Sequence, residues 1–359
     1  MRVLVTGCCG FVGSSLLESL ARLSAGGGSR VELYGVDNLS RPGSEQNRRK
    51  VGRIARFCHA DMRCASDVDS LPEVDFVIDA AANPSVIAGV QGSASSRQTV
   101  EHNLASAINI LEFCRRSKAG FWLLSTSRVY SIKALCSLPL TPLQNGFRLD
   151  TDAPLPSYVS PEGVTESFPT QSPISLCGST KLAAELLALE YAAAFDFPIC
   201  INRCGVLAGP GQFGRPEQGI VAFWINSWLR RRPLTYIGFN GSGHQVRDCL
   251  HIRDLGALIW RQFERPPSAE APIVNVGGGS GSWFSLAQLS AWCAERFGEQ
   301  AVVKSLIERQ FDVPWLIMDS RLAKQQWNWQ PEVNLQQIWT EVAIHADENP
   351  NWLELSGGA

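Results

Sequence analysis

The residues most able to do chemistry stand near the start of the chain. Gly7-Cys8-Cys9-Gly10-Phe11-Val12-Gly13 follows an apolar run at 2–6 and leads into an apolar helical pattern. Glycines at this spacing let a turn fold tightly, let backbone approach a pyrophosphate and let helix and strand pack closely. The helix start then offers unpaired N–H groups to the anion. Asp37 ends the next apolar run. A carboxylate there accepts hydrogen bonds from an adenosine ribose and repels a 2′-phosphate, which favours NAD over NADP. Arg41, close by, pulls the other way. A glycine turn beside a solvent-facing aspartate is the plain alternative, and the strand–turn–helix setting argues against it. Asp61, in the loop after the third strand, is placed to meet an adenine amine. Ala80-Ala81-Ala82-Asn83-Pro84 ends the fourth strand with small residues against which a cofactor can lie. Each of these two segments is equally an ordinary loop.

These residues need a frame. Near-continuous apolar runs at 2–6, 31–36, 54–59, 75–80 and 120–125 read as strands covered on both faces, as in a parallel sheet. Helical patterns fall near 13–25, 99–117 and 176–195. The alternation predicts an α/β, doubly wound (Rossmann) sheet over residues 1–203. Residues 131–173 are rich in Pro, Ser and Thr, lack sustained periodicity and read as a long surface excursion. Residues 204–345 read as a smaller, discontinuous substrate-binding cap. It has helices near 219–231, 253–264, 285–297 and 335–345 and short strands near 234–237 and 247–251. Within it, 247–276 partly returns to the main domain through a strand at 272–276, and 346–359 reads as a tail.

Composition sets limits. The 359 residues are 45% hydrophobic and 18% charged, with a net charge of −2, an ordinary globular balance. No basic stripe points to nucleic acid; the run Arg230-Arg231-Arg232 reads as favourable charge at a helix C-terminus. No apolar run is long enough for a membrane span, and no signal-peptide pattern precedes the first strand. Eleven cysteines without paired metal-ligand spacing predict no metal site. Their odd number suits a reducing, cytoplasmic setting better than a disulfide framework.

Longer signatures extend the case: Asp37-Asn38-Leu39-Ser40, Ser125-Thr126-Ser127-Arg128-Val129-Tyr130, Asn202 to Phe213, and Gly241 to His251. Over roughly residues 1–345 the chain resembles the extended short-chain dehydrogenases of the NAD-dependent epimerase/dehydratase family, and among them the CDP-paratose (CDP-tyvelose) 2-epimerase group. The resemblance implies tightly held NAD and inversion of a sugar carbon by transient oxidation of a nucleotide-sugar substrate. It assigns cofactor contacts to Gly7, Gly10, Phe11, Val12, Gly13, Asp37, Asn38, Ser40, Asp61, Met62, Ala80, Ala81, Ala82, Asn103 and Lys181. Thr126 matches the orienting Ser/Thr. The Tyr-x-x-x-Lys motif, whose ends lie one helical turn apart, reads Cys177-Gly-Ser-Thr-Lys181. The lysine is kept and the tyrosine is a cysteine. A thiol is more acidic than a phenol, and Lys181 and a cationic nicotinamide are expected to lower its pKa further; its shorter reach is the obstacle. Tyr130 and Tyr158 are candidate substitutes, Tyr130 reading better as packing. On the substrate side the resemblance points to Asn83, Gln212, Phe213, Gln218, Gly219, Arg247, Arg309 and Asp312. Arg247 would grip a diphosphate; otherwise Arg247-Asp248 is a surface ion pair. Tyr236 and Phe239 would stack on a base or belong to the core.

The leading expectation is therefore an NAD-dependent epimerase inverting C2 of a CDP-hexose or related sugar nucleotide. A 4,6-dehydratase usually has an acidic pair after the Ser/Thr, where this chain has Ser127-Arg128. A catalytically silent protein that binds NAD and sugar nucleotide is the third reading, suggested by Cys177. By analogy, the long helices 99–117 and 176–195 would pair in a homodimer.

Overall fold

A computed structural model describes the chain except residues 27–29, 86, 88–89, 91–94, 268–271 and 358–359. Seven parallel strands form the central sheet: β1 (Arg2–Thr6), β2 (Glu32–Asp37), β3 (Arg56–His59), β4 (Phe76–Asp79), β5 (Gly120–Thr126), β6 (Ile199–Cys204) and β7 (Ile273–Val276). Their order is β7-β6-β5-β4-β1-β2-β3. The order reverses between β1 and β4, and a ligand crevice opens outside the strand ends at such a switch point.

The apolar runs become strands because both sheet faces are covered. On one face Val3, Val5, Ile78 and Trp122 pack against helices Phe11–Ala25 and Ile252–Glu264. On the other, Leu4, Val77, Phe121 and Leu123 pack against helices Ser106–Ser117 and Leu176–Phe195. The first two helices approach closely because Gly256 has no side chain: a Cβ there would lie 2.6 Å from Ser19 Cβ. Trp122 is fully buried and meets Phe76 edge-on at 4.9 Å. Truncating such a side chain to alanine typically costs about 3–5 kcal/mol.

A second core lies under helices Ile220–Leu229, Leu286–Phe297 and Leu335–Glu348. Tyr236 belongs to it, stacked on Trp224 at 5.5 Å with its hydroxyl donating to Ser290. Short strands Val206–Ala208, Val246–His251, Trp283–Phe284 and Trp315–Leu316 make the accompanying sheet. The expected return of the chain to the main sheet is the strand Ile273–Val276, parallel to Ile199–Cys204. Beyond residue 345 the chain adds a helix Trp352–Leu355 whose Trp352 and Leu353 are buried. Arg231 reaches past its own helix to the carbonyls of Phe297 and Glu299, capping Leu286–Phe297.

Residues 131–173 differ from the expected surface excursion. They form a short helix Ile132–Cys136 and two small hairpins, Leu140–Leu143 with Gly146–Leu149 and Val159–Ser160 with Gly163–Val164. Leu135, Leu149, Val164 and Phe168 are buried against Trp315–Met318. Their apolar residues are spaced too irregularly to register as a period. Helix Ser44–Ile54 was also hidden, because only Ser44, Asn47 and Val51 of it are buried.

Candidate active site

The ends of β1 and β4 are tied together first. Thr6 Oγ1 donates to Asp79 (2.6 Å) and accepts the Ala80 and Ala81 amides (3.1 and 3.0 Å). Gly7 takes a left-handed φ of 60° and lies so close to Ala81 that a Cβ would sit 2.9 Å from its Cα. A Cβ on Gly13 would lie 2.3 Å from the Gly7 carbonyl. Helix Phe11–Ala25 begins with no side-chain cap, so its first amides are free for an anion. This cradle fits a dinucleotide pyrophosphate. Asp37 accepts the Cys9 and Leu39 amides (2.9 and 2.8 Å), which fixes its carboxylate at the rim. Burial raises its pKa.

One cavity of about 890 Å³ runs from this turn into the cap, near the upper end of the ~300–1,000 Å³ common for small-molecule sites. It is lined by Gly7, Gly10, Phe11, Val12, Gly13, Asp37, Asn38, Ser40, Asp61, Met62, Ala80, Ala81 and Ala82 on the sheet side. Thr126, Cys177 and Lys181 also line it, as do Gln212, Phe213, Gln218, Gly219, Arg247, Arg309 and Asp312. Asn83 and Asn103 are absent from this lining. Asn103 is buried on a π-helical turn, Glu101–Ala105, where its side chain accepts the Asn83 amide (2.7 Å) and donates to the Asn83 carbonyl (3.1 Å) and Thr180 (3.0 Å).

Several lining residues already have partners. Asp61 accepts Asn38 and a forked pair from Arg63, which holds its carboxyl well below the usual range. Gln212 donates to the Leu207 carbonyl (2.6 Å) and accepts the Ala222 amide (3.3 Å), and so shapes its own loop. Phe213 is buried between the Arg41 guanidinium (5.0 Å) and Trp352 (5.5 Å). Gly219 has a left-handed φ of 71°, and a Cβ there would collide with the Phe213 carbonyl. Arg247 does not pair with Asp248. It donates to Asp312 (3.2 Å), while Asp248 is buried and accepts backbone amides.

Cys177 and Lys181 lie one turn apart on helix Leu176–Phe195 and are 3% and 4% exposed. Burial acts against the expected lowering of the thiol pKa, and Lys181 acts on it in the expected direction. Burial pushes the Cys177 thiol up, and the opposing charges of Lys181 and Arg128 do not outweigh it. The thiol donates to the Asn83 carbonyl at 3.6 Å. Tyr130 is no substitute. It is buried, its hydroxyl donates to Asn275 (2.6 Å), and its pKa is pushed up to about 12. Tyr158 packs edge-on against Phe168. Among the described residues no tyrosine lines the cavity. Thr126 ends β5, and its Oγ accepts the Arg128 amide (3.2 Å).

Arg128 was missed as a cavity residue, as were Arg41, Arg63 and Glu217. Arg128 follows Thr126 on a short 3₁₀ turn, Ser127–Val129. Its type was visible in sequence, but no spacing rule said that its guanidinium faces the cavity.

The architecture is that of a doubly wound dinucleotide-binding protein with a cap over the strand ends. The profile of the NAD dependent epimerase/dehydratase family matches residues 3–277. The chain belongs to that family, and its cofactor is NAD. It is 27% identical over 349 residues to the CDP-paratose 2-epimerase of Salmonella typhi, covering 93% of this chain and 96% of that one. It is 25% identical to the UDP-glucuronate 4-epimerase of Thermodesulfobacterium geofontis, with 96% of each covered. The crystal structure of the UDP-glucuronic acid 4-epimerase from Bacillus cereus superposes with a TM-score of 0.77 at 24% identity, covering 97% of this chain and 99% of that one. No helix of the described residues is long and apolar enough to cross a membrane.

Proposed function

We propose that the chain is an NAD-dependent nucleotide-sugar epimerase that inverts C2 of a CDP-hexose or a related sugar nucleotide. The observation that carries this reading is the shared cavity. The glycine turn and Asp37, the pair Thr126 and Lys181, and the Arg247–Asp312 cluster all line it. NAD supplies a hydride acceptor that can return the hydride to the opposite face. Thr126 orients the sugar hydroxyl, Lys181 places positive charge beside the reacting groups, and Cys177, as its thiolate, is the proton acceptor lining the same cavity. The Cys177 thiol itself donates to the Asn83 carbonyl at 3.6 Å. The similarity to the CDP-paratose 2-epimerase supports this substrate class.

A dehydratase is disfavoured because the positions after Thr126 are Ser127 and Arg128 rather than acids. The silent reading keeps one specific support: a buried thiol and no cavity tyrosine among the described residues. Incubating the NAD-loaded protein with CDP-, GDP- and UDP-sugars, with products resolved by NMR, tests the choice. An epimer of one of them is expected. Tight binding of sugar nucleotide without turnover selects the silent reading.

A further inference from the structure

Residues 346–359 read from the sequence as a tail, yet the segment 349–357 is fastened on two sides. Trp352 and Leu353 of its short helix are buried, as is the following Ser356. On one side the segment meets the loop 209–219, which brings Gln212, Phe213, Gln218 and Gly219 to the cavity. The indole N–H of Trp352 donates to the Gln212 carbonyl (2.9 Å), and its ring packs on Phe213 with centroids 5.5 Å apart. Leu353 occupies the space that a side chain at position 214 would need: a Cβ on Gly214 would lie 2.9 Å from its Cδ2.

On the other side the same segment meets the turn that follows Asp37. Gly43 takes a left-handed φ of 91°, and a Cβ on it would lie 3.0 Å from the Leu355 carbonyl oxygen. The Arg41 guanidinium lies over the Phe213 ring at 5.0 Å. Arg41, Phe213 and Trp352 therefore form one continuous contact between the cofactor-binding half and the loop. The segment is itself anchored to the end of helix Ile220–Leu229. There Arg230 donates to the Pro350 carbonyl (2.7 Å), and Arg232 pairs with Glu354.

The loop needs such a hold. Gly211 and Gly219 both take left-handed φ values, 78° and 71°, and glycine there leaves the backbone free to follow other paths. A released loop is competent to bind for only part of the time, and apparent affinity falls in proportion to that part. We infer that the segment 349–357 is a clasp that holds the cavity loop 209–219 against the cofactor-binding half, with Trp352 as its positioning residue for sugar-nucleotide binding. The inference rests on the sugar-nucleotide reading. Trp352 does not line the cavity, so it acts through Gln212 and Phe213 alone. It sets how readily the ligand is bound. Once the ligand is in place the loop is in place too, and the chemistry at Thr126, Cys177 and Lys181 is unaltered.

Calorimetry on the NAD-loaded protein with CDP-, GDP- and UDP-sugars reads the clasp without turnover, and steady-state rates separate KM from kcat. Trp352→Ala removes one hydrogen bond and one ring contact and should weaken sugar-nucleotide binding by roughly tenfold. KM should rise alike, while kcat and NAD affinity stay close to those of the unmodified protein. Trp352→Phe keeps a ring on Phe213 without the N–H, and its affinity should fall between. Where Trp352→Ala does not fold, the affinity of Trp352→Phe decides. A side chain that served only the fold would lower the thermal midpoint and reduce kcat and NAD retention together with KM unchanged; that pattern overturns the inference. Unchanged affinity in both variants also overturns it and leaves the sugar-nucleotide reading standing. Failure of the unmodified protein to bind any of these sugar nucleotides strikes that reading itself, and the inference with it.

Discussion

The decisive perturbation is at Cys177. At a thiol's ordinary value of 9.0, about 1% is ionised at pH 7, and burial leaves less in the resting site. If the thiolate takes the proton from the sugar hydroxyl, turnover must rise about tenfold per pH unit from pH 7 towards 9. Cys177→Ser replaces the thiol with a far weaker acid of similar size. It should lower kcat by about 100- to 10,000-fold, the usual contribution of a positioned base, while sugar-nucleotide affinity stays close to that of the unmodified protein. Cys177→Tyr supplies the longer phenol and should raise turnover through its reach to the sugar hydroxyl, with a rate that still climbs as pH rises. The assay is the rate of epimer formation by NMR from a substrate deuterated at the inverted carbon. Transient oxidation returns the substrate's own deuterium, whereas proton exchange loses it to water. Full activity in Cys177→Ser, or a rate independent of pH between 7 and 9, refutes the thiol as proton acceptor.

Other outcomes follow from single contacts. NAD should bind roughly tenfold or more tightly than NADP, a difference of ~1.4 kcal/mol. Asp37→Ala should narrow the gap in a fluorescence titration, and equal affinity in the unmodified protein refutes the role of Asp37. Gly13→Ala forces a methyl to within 2.3 Å of the Gly7 carbonyl; it should cost about 1–3 kcal/mol of stability and abolish NAD retention, read as a lower thermal midpoint and loss of cofactor on gel filtration. Stability should fall on both sides of neutrality. Buried Cys204 and Cys293 are pushed up to about 12 from 9.0, so above pH 9 the unfolded chain releases protons that the fold retains, and stability declines. His345, packed on Trp352, is pushed down to about 4 from 6.5. Below pH 6.5 the unfolded chain therefore binds a proton that the fold refuses, and stability declines there too. Denaturant midpoints measured from pH 4 to 10 check both limbs.

What the sequence revealed and what it hid divide along physical lines. The strands of the central sheet were legible because burial on both faces demands unbroken apolar runs, and Val3-Leu4-Val5 or Phe121 to Leu124 admit little else. The glycine turn was legible because its backbone positions exclude a Cβ, so Gly7 and Gly13 report geometry through residue type alone. Hairpins in 131–173 were not legible. Their burial comes from contacts with Trp315–Met318, about 150 residues downstream, and no local period records it. Asn103 shows a related limit: its buried amide supports Asn83 and the helix carrying Cys177, from behind the cavity wall.

The substrate side shows why residue identity is weaker evidence than partnership. Gln212, Phe213 and Gly219 line the cavity, yet their bonds and packing serve the loop they belong to. Arg247 has the right charge for a diphosphate and lines the cavity, with Asp312 fixing its guanidinium there. Arg128 attracted attention in the sequence only as a residue that was not acidic. The fold gives it a different meaning: a guanidinium in the cavity, with one weak contact, beside the hydroxyl of Thr126 and the thiol of Cys177. A cysteine at the position of the tyrosine removes a bulky phenol from the same region that gains this cation. The two departures act on one another, since Arg128 opposes the burial that keeps the Cys177 thiol protonated. A negative charge brought near Arg128 would weaken that opposition, so binding of an anionic substrate and the acidity of the thiol are coupled by charge. The pH profile of Cys177-dependent turnover should therefore shift upward when substrate saturates the site, relative to kcat/KM.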